Sequence, residues 1–217
     1  IMTDPQDLLH LMSWLSPAFP TGAFSYSHGL ETAIANELVP NRDELTDWLA
    51  ALLTNGPGCN DAVLLAQSWR QANGGKDLQS VAELARAMAT TKERHLETMA
   101  QGRAFVAAAR VWQSDIPDDL PLPVAVGCVC GRLGISLDAA VAAYLQAYVS
   151  NQIQAALRLM PLGQQNGVWL LKALEPAILD ASSAAAKSSL VQLGNSAFMA
   201  DVQAMQHETL NSRMFRS

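Results

Sequence analysis

Residues 16–31 read SPAFPTGAFSYSHGLE and separate two apolar segments whose hydrophobic residues recur with helical spacing. Pro17 and Pro20 fix their own φ angles and disfavour helix in the residues before them, and Gly22 gives access to left-handed backbone. Aromatic side chains in so short a stretch would be costly to leave in water. We therefore expect an ordered, non-helical segment that packs back on the domain or against another protein through its aromatic residues, Phe19, Phe24 and Tyr26.

Composition narrows the classes of protein to which the chain can belong. Its 217 residues are 50% hydrophobic, which is enough for a single domain (residues 1–217) with a substantial core. The formal net charge of −6 argues against a nucleic-acid partner, since Lys and Arg must neutralise phosphates. The odd cysteine count, the lack of a secretory signal pattern and the lack of a long apolar run predict a cytoplasmic protein without a membrane segment. Cys128 and Cys130 are predicted to pack as small buried hydrophobes.

Hydrophobic periodicity predicts helices along nearly the whole chain. Asp4 and Pro5 suit the start of a first helix that ends before Pro17, and Asn41 followed by Glu44 resembles a capping box. Other helices are predicted at about 26–37, 41–55, 60–73, 76–112 (one long helix or two), from 136 to a break at 161–163, and 164–193. No stretch sustains the alternation typical of strands. We predict an all-α fold, a single-domain bundle of about eight to ten helices, with the 16–31 segment as an ordered loop after the first.

Two kinds of polar residue in apolar surroundings stand out. Arg158, Gln152 and Gln164 lie around the predicted helix break, where they suit either solvent exposure with the arginine stem as cover, or an interface or polar channel. The tail (residues 194–217) ends in HETLNSRMFRS, which places Met214 and Phe215 beside arginines. Such a tail either stays mobile, as chain ends often do, or orders on a partner.

Catalytic chemistry finds little support in the sequence. Ser25 and Ser27 lie beside His28, which supplies the residue types of a nucleophile and its base. A nucleophile elbow, however, needs glycines on both sides of its serine and a strand before it, and neither condition is met. We predict no catalytic residue, and a serine hydrolase using Ser25 or Ser27 with His28 is the alternative.

Candidate metal ligands occur only in pairs. His28 with Glu31, and His95 with Glu93 or Glu97, are close in sequence, whereas a zinc site usually collects three or four protein ligands. A phosphate-binding glycine loop is also absent. We therefore predict no metal site and no nucleotide hydrolysis.

Four segments taken in order resemble the urease accessory protein UreF family over essentially the whole chain. They are SPAFPTGAFSYSHGLE (16–31), ETMAQGR (97–103), AALRLMPLGQQ (155–165) and HETLNSRMFRS (207–217). His28 stands where glutamine is common in the family, and Met214 where leucine is common. The resemblance implies an all-helical, dimeric, non-enzymatic protein that bridges UreD (also called UreH) and the GTPase UreG during GTP-dependent nickel delivery to apo-urease. Nickel would then be cargo in transit, with no resident cofactor, and direct nickel storage by this chain is an alternative.

The resemblance also implies where partners bind. The tail is expected to dock UreD by ordering on it, through His207, Glu208, Arg213, Phe215 and Arg216. The 16–31 segment is expected to face UreG or support the dimer, through Ser25, Tyr26, His28, Gly29 and Glu31. Dimer contacts or a polar passage for nickel are expected at Arg158, Gln152 and Gln164.

Overall fold

The computed structural model describes residues 4–217. Over that range it contains ten α-helices, two short 3-10 helices and no β-strand, which confirms the all-α prediction. No helix in the described range is long and apolar enough to cross a membrane. The α-helices are α1 (Pro5–Trp14), α2 (Leu30–Ala35), α3 (Arg42–Asn55), α4 (Pro57–Asn73), α5 (Gln79–Ala87), α6 (Lys92–Ala109), α7 (Leu122–Arg132), α8 (Leu137–Leu159), α9 (Gln164–Lys187) and α10 (Phe198–His207).

The predicted capping residues begin two of the helices. The Asp4 carboxylate accepts a hydrogen bond from the amide of Gln6 at 2.8 Å, and Pro5 occupies the first turn of α1. The Asn41 side chain accepts from the amides of residues 43 and 44 at the start of α3. Both side chains satisfy amides that have no partner inside the helix.

Helix α2 is shorter than the predicted 26–37 because the backbone on either side of it is left-handed. His28 and Gly29 have φ angles of 55° and 78°, and Glu37 has a φ of 57°. A Cβ at position 29 would also collide with the backbone of Ala204 in α10, so only glycine fits there. The chain thus enters α2 in a fixed direction, with Glu31 in the first turn.

The predicted helix at 76–112 is two helices, α5 and α6. Thr91 begins the second, since its hydroxyl accepts a hydrogen bond from the amide of Arg94 at 3.1 Å. Helix α9 follows the predicted break near Pro161 but ends at Lys187, short of residue 193, and a 3-10 turn at Leu190–Gln192 comes after it.

Helix α4 lies at the centre and packs against α3, α5, α7, α8 and α9. Helix α7 is absent from the helices predicted above, because Gly127 and Gly131 lower helical propensity. A Cβ at either glycine would overlap the carbonyl of Leu65 or Trp69 in α4. The glycines are therefore packing residues that let α7 approach α4 closely.

The 16–31 segment is ordered and packs on the body of the protein. The Phe19 ring lies 5.5 Å from the Phe105 ring of α6, centroid to centroid, and Tyr26 is buried. Phe24 differs, because 64% of its surface is exposed. The prediction of inward packing is thus confirmed for two of the three aromatic residues.

Candidate functional site

The 16–31 segment meets the 208–217 segment, the part of the tail that follows α10. The Ser217 carbonyl accepts a hydrogen bond from the Ser27 amide at 2.7 Å, and the Ser25 carbonyl accepts from the Arg216 amide at 2.8 Å. The Ser27 hydroxyl also donates to the Ser217 carbonyl. Two parts of the chain that are about 190 residues apart in sequence are therefore held together through their backbones.

Glu31, in the first turn of α2, holds the 208–217 segment by its carboxylate. It accepts hydrogen bonds from the Met214 amide at 2.8 Å and the Phe215 amide at 3.0 Å, and from His207 Nε2 at 3.2 Å. Burial by itself would raise the pKa of Glu31, but these donors outweigh it, and the pKa lies below its usual value. The ionised carboxylate is thus the form that binds the segment.

His207, the last residue of α10, lies fully buried between two carboxylates. Its Nδ1 is 2.7 Å from Glu93 Oε2 of α6, and its Nε2 faces Glu31. Ionised carboxylates only accept hydrogen bonds, so both contacts are satisfied together when the ring carries two protons. The guanidinium of Arg213 bonds the other oxygen of Glu93. This chain of contacts ties α2, α6, α10 and the 208–217 segment together.

Another buried carboxylate, that of Glu97, lies at the junction between the 16–31 and 208–217 segments. Its Oε1 lies 2.9 Å from His28 Nε2 and 3.3 Å from the Arg94 guanidinium, and its Oε2 accepts from the Ser217 hydroxyl at 3.2 Å. Burial would raise the pKa of Glu97, but the charges of His28 and Arg94 lower it overall. Glu97 therefore connects both segments to α6.

Arg94 extends these ionic contacts into the centre of the protein. Its guanidinium lies 2.5 Å from Asp61 of α4, and Asp61 accepts a hydrogen bond from the Tyr144 hydroxyl of α8 at 2.8 Å. Burial alone would lower the pKa of Arg94, but Asp61 and Glu97 raise it. Burial, with the charge of Asp61, raises the pKa of Tyr144, which keeps the hydroxyl a donor.

Phe215 and Arg158 form the apolar part of the junction. Phe215 is 3% exposed, and the Arg158 guanidinium lies 4.2 Å above its ring. Arg158 also donates to the Phe24 carbonyl at 2.6 Å. The arginine of α8 thus contacts both segments, which sequence reasoning did not anticipate.

The structure corrects the expected state of the tail. Because its backbone and side chains bind α2, α6 and the 16–31 segment, the 208–217 segment is ordered without a partner. His207 and Phe215 are buried, so they are not exposed anchors, and Glu208 accepts from the Lys92 amide at 2.9 Å at the start of α6. The exposed residues of this segment include Arg213, Met214 and Arg216.

The residues expected to bind two different partners lie side by side. Ser25, Tyr26, His28, Gly29 and Glu31 join the tail residues in one region, and Arg158 adjoins them. Gln152 and Gln164 are not part of it. Gln152 is fully buried in α8, and neither of its side-chain polar atoms has a hydrogen-bond partner, whereas Gln164 is exposed at the start of α9.

The serine and histidine pair needed for hydrolysis is not formed. The Ser27 hydroxyl is engaged by Ser217, and His28 Nε2 is engaged by Glu97. Within residues 4–217, no hydrogen bond joins His28 to the hydroxyl of Ser25 or Ser27, and His28 Nδ1 has no partner. His28 is therefore not paired with either serine in this structure.

The side chains of this region do not assemble as metal ligands. The described part of the chain has no group of three or more His, Cys, Asp or Glu residues placed to hold a metal ion. His28 pairs with Glu97 instead of Glu31, and Glu93 turns inward to His207 while His95 stays exposed. Sequence reasoning did not predict that the Glu93 side chain points into the protein. Helix periodicity gives no signal for it, because α6 has no clear apolar face.

Comparison with known proteins gives a consistent result. The family model described as UreF matches residues 39–175. A protein of Brucella ovis named "Urease accessory protein UreF" is 52% identical over 222 residues, an alignment that covers 100% of this chain and 97% of that protein. A protein of Mesorhizobium japonicum with the same name is 49% identical over 214 residues, which cover 97% of this chain and 96% of that protein.

Proposed function

Because this chain belongs to the UreF family of urease accessory proteins, we propose that it is a non-enzymatic scaffold that bridges UreD (UreH) and the GTPase UreG during GTP-dependent nickel insertion into apo-urease. It acts in the cytoplasm as a homodimer. Nickel passes through the assembly as cargo, and the chain keeps no cofactor of its own. The family supports a role in urease maturation, and the contacts described above support docking of a partner on the 208–217 segment.

One observation carries the proposal: the 208–217 segment is held in place while part of it faces outward. Met214 is 59% exposed although its own amide is bound by Glu31. Arg213 and Arg216, on either side, are exposed as well. An apolar side chain flanked by arginines on a fixed backbone has the composition of a binding hot spot.

A segment that is ordered beforehand binds more tightly than one that must fold on its partner. Fixing a mobile backbone costs about 1–2 kcal/mol per residue, and the intramolecular contacts of Glu31, Glu93 and Glu97 meet that cost before any partner arrives. His207, Glu208 and Phe215 thus contribute to UreD docking by positioning the segment, and the exposed side chains make the contacts.

The neighbouring residues receive roles by the same reasoning. Ser25, Tyr26, His28, Gly29 and Glu31 support the docking surface from the 16–31 segment, and in the dimer they lie at or beside the surface that meets UreG. Arg158 holds the two segments in register. Gln152, whose amide is buried without a partner, suits a polar passage for nickel, and the exposed Gln164 suits a dimer contact.

The proposal is tested by the affinity for UreD of a Met214→Glu variant. An added carboxylate at the centre of the surface should weaken binding at least tenfold in biolayer interferometry with immobilised UreD, because hot-spot residues lie where solvent is excluded. Val191→Glu is the matched control, since Val191 is 92% exposed on the 3-10 turn outside the site. Equal affinities of the two variants for UreD would overturn the docking assignment.

The bridging role is tested separately by gel filtration with UreD and UreG, with and without GTP. We expect one peak that contains all three proteins and a retained amount of UreG that depends on GTP. Separate elution of UreG in both conditions would refute the bridging role and leave the assignment to urease maturation intact.

A further inference from the structure

An open groove of about 630 Å³ lies beside the 208–217 segment, along the outer face of α6. Its floor is apolar, with Met99 and Tyr26 buried and Leu96 57% exposed. Residues 95, 96, 99, 100 and 103 recur at the spacing of one helix face, so α6 supplies one continuous wall. A groove of this size can bury a short peptide or a few side chains of another protein.

The rim of the groove is cationic, although the chain as a whole has a formal net charge of −6. Arg86, Arg103 and Arg216 line it from three different elements. Arg103 is paired with the Asp119 carboxylate at 2.6 Å, whereas Arg86 reaches only the Asp119 carbonyl, at 2.5 Å. Within residues 4–217 the side chain of Arg216 has no ion-pair or hydrogen-bond partner.

The acidic residues of the groove do not cancel this charge. Glu93 is already engaged by Arg213 and His207, and Asp119 by Arg103. Among the described residues, two guanidinium groups that line the groove, those of Arg86 and Arg216, are therefore left without a carboxylate. The exposed His95 adds to the cationic side whenever it is protonated.

We propose that this groove binds an acidic segment of a partner protein, with a large apolar side chain on Leu96 and Met99 and carboxylates at Arg86 and Arg216. Guanidinium groups bind carboxylates in a paired, planar geometry, which makes arginine the common residue for this kind of recognition. A second copy of this chain, whose formal net charge is −6, is the alternative occupant, and the experiment includes it as an outcome. The inference deepens the proposed scaffold function and rests on it for the biological partner, but the peptide measurement needs no urease component, so the two can fail separately.

The test is fluorescence anisotropy with a fluorescein-labelled peptide of twelve residues built from glutamate and leucine. A peptide with glutamine in place of glutamate is its matched control. We expect the acidic peptide to bind and its affinity to fall with added salt, because exposed charge pairs are screened. A double variant, Arg86→Gln with Arg216→Gln, should bind about tenfold more weakly, and Leu96→Ser should weaken binding as well.

The control variant removes the same amount of charge elsewhere. Lys172→Gln with Lys187→Gln changes two exposed lysines of α9, which does not line the groove, and should leave peptide affinity unchanged. Thermal unfolding followed by circular dichroism shows whether all variants are folded. Since each replaced side chain lies at the surface or lines the open groove, no large change is expected.

Three results would overturn the proposal. The first is equal binding of the glutamine peptide, and the second is unchanged affinity in the arginine double variant. The third is a dimer of the unmodified chain, detected by sedimentation, that prevents peptide binding and that dissociates in the arginine double variant. A second copy of the chain would then be the occupant of the groove.

Discussion

Replacing Glu31 by alanine should release the 208–217 segment from the rest of the protein. The carboxylate accepts three hydrogen bonds, from two backbone amides and from the buried His207, and its side chain is only 13% exposed. Hydrogen bonds to a charged group contribute about 1.5–3 kcal/mol each. In the variant, water can replace the carboxylate as the acceptor at the exposed Met214, but not at the buried His207. The contributions of the three hydrogen bonds therefore do not simply add.

The expected loss is about 3 kcal/mol, which is the lower end of the range for removing one partner of a buried ion pair. Urea denaturation should show this loss for Glu31→Ala, and about half of it for Glu31→Gln, because the amide still accepts one hydrogen bond. Native-state hydrogen exchange should show amides 214 and 215 exchanging about 100-fold faster in Glu31→Ala. Glu83→Ala, at an exposed glutamate of α5, should change stability by less than about 0.5 kcal/mol.

The pH dependence gives an independent check on the same contacts. The pKa of Glu31 is lowered from 4.5 in the folded chain, so the ionised carboxylate favours folding. The contribution of the Glu31 carboxylate to the free energy of unfolding is complete above its ordinary pKa of 4.5. It is lost as the pH falls through the lower pKa of the folded chain. The stability difference between the unmodified chain and Glu31→Gln should therefore shrink below pH 4.5. A Glu31→Ala protein as stable as the unmodified chain, with amides 214 and 215 still protected, would refute the reasoning.

Two further predictions concern helix α7. Gly127→Ala should lower the free energy of unfolding by about 2–3 kcal/mol in urea denaturation, because its Cβ would overlap the carbonyl of Leu65. Gly163→Ala is the control, since its Cβ meets open space, and it should change that free energy by less than about 0.5 kcal/mol. Similar losses in the two variants would contradict the packing role of Gly127. Burial raises the pKa of Cys128 to about 11 and that of Cys130 to about 12, so iodoacetamide at pH 8 should modify the half-buried Cys59 first, as mass spectrometry can show. Equally fast modification of either α7 thiol would contradict their burial.

What the sequence predicts well is governed by neighbours along the chain. Asn41 begins α3 because its side chain reaches amides two and three residues away, and Pro161 separates α8 from α9 through its own ring. Helix α7 is not predicted by such reasoning because Gly127 and Gly131 have low helical propensity. The close contact that requires both glycines is with α4, which is distant in sequence. Tertiary packing decides in favour of the helix there.

The candidate site is harder to predict because its contacts join residues far apart in sequence. Glu31 binds Phe215 across 184 positions, and Glu93 binds His207 across 114. In the sequence, Glu93 lies only two residues from His95, so local pairing would suggest His95 as its partner. Only the fold shows that the glutamate turns inward and that His95 faces solvent, so the sequence supplies the residue types but not their pairing.

The ionic contacts and the apolar contact at the junction have separate effects on the 208–217 segment. Burial of Phe215 favours docking of the segment, but because burial is non-directional it does not specify the backbone hydrogen bonds of the segment. Hydrogen bonds from two successive amides to Glu31, and from Ser27 to the Ser217 carbonyl, allow only one register. In that register Phe215 and Ser217 are buried while residues 214 and 216 are exposed, as along an extended chain whose side chains alternate in direction. A shift by one residue would bury a guanidinium group at position 216 and expose the phenylalanine, so the apolar contact and the hydrogen bonds favour the same register and together determine which surface a partner meets.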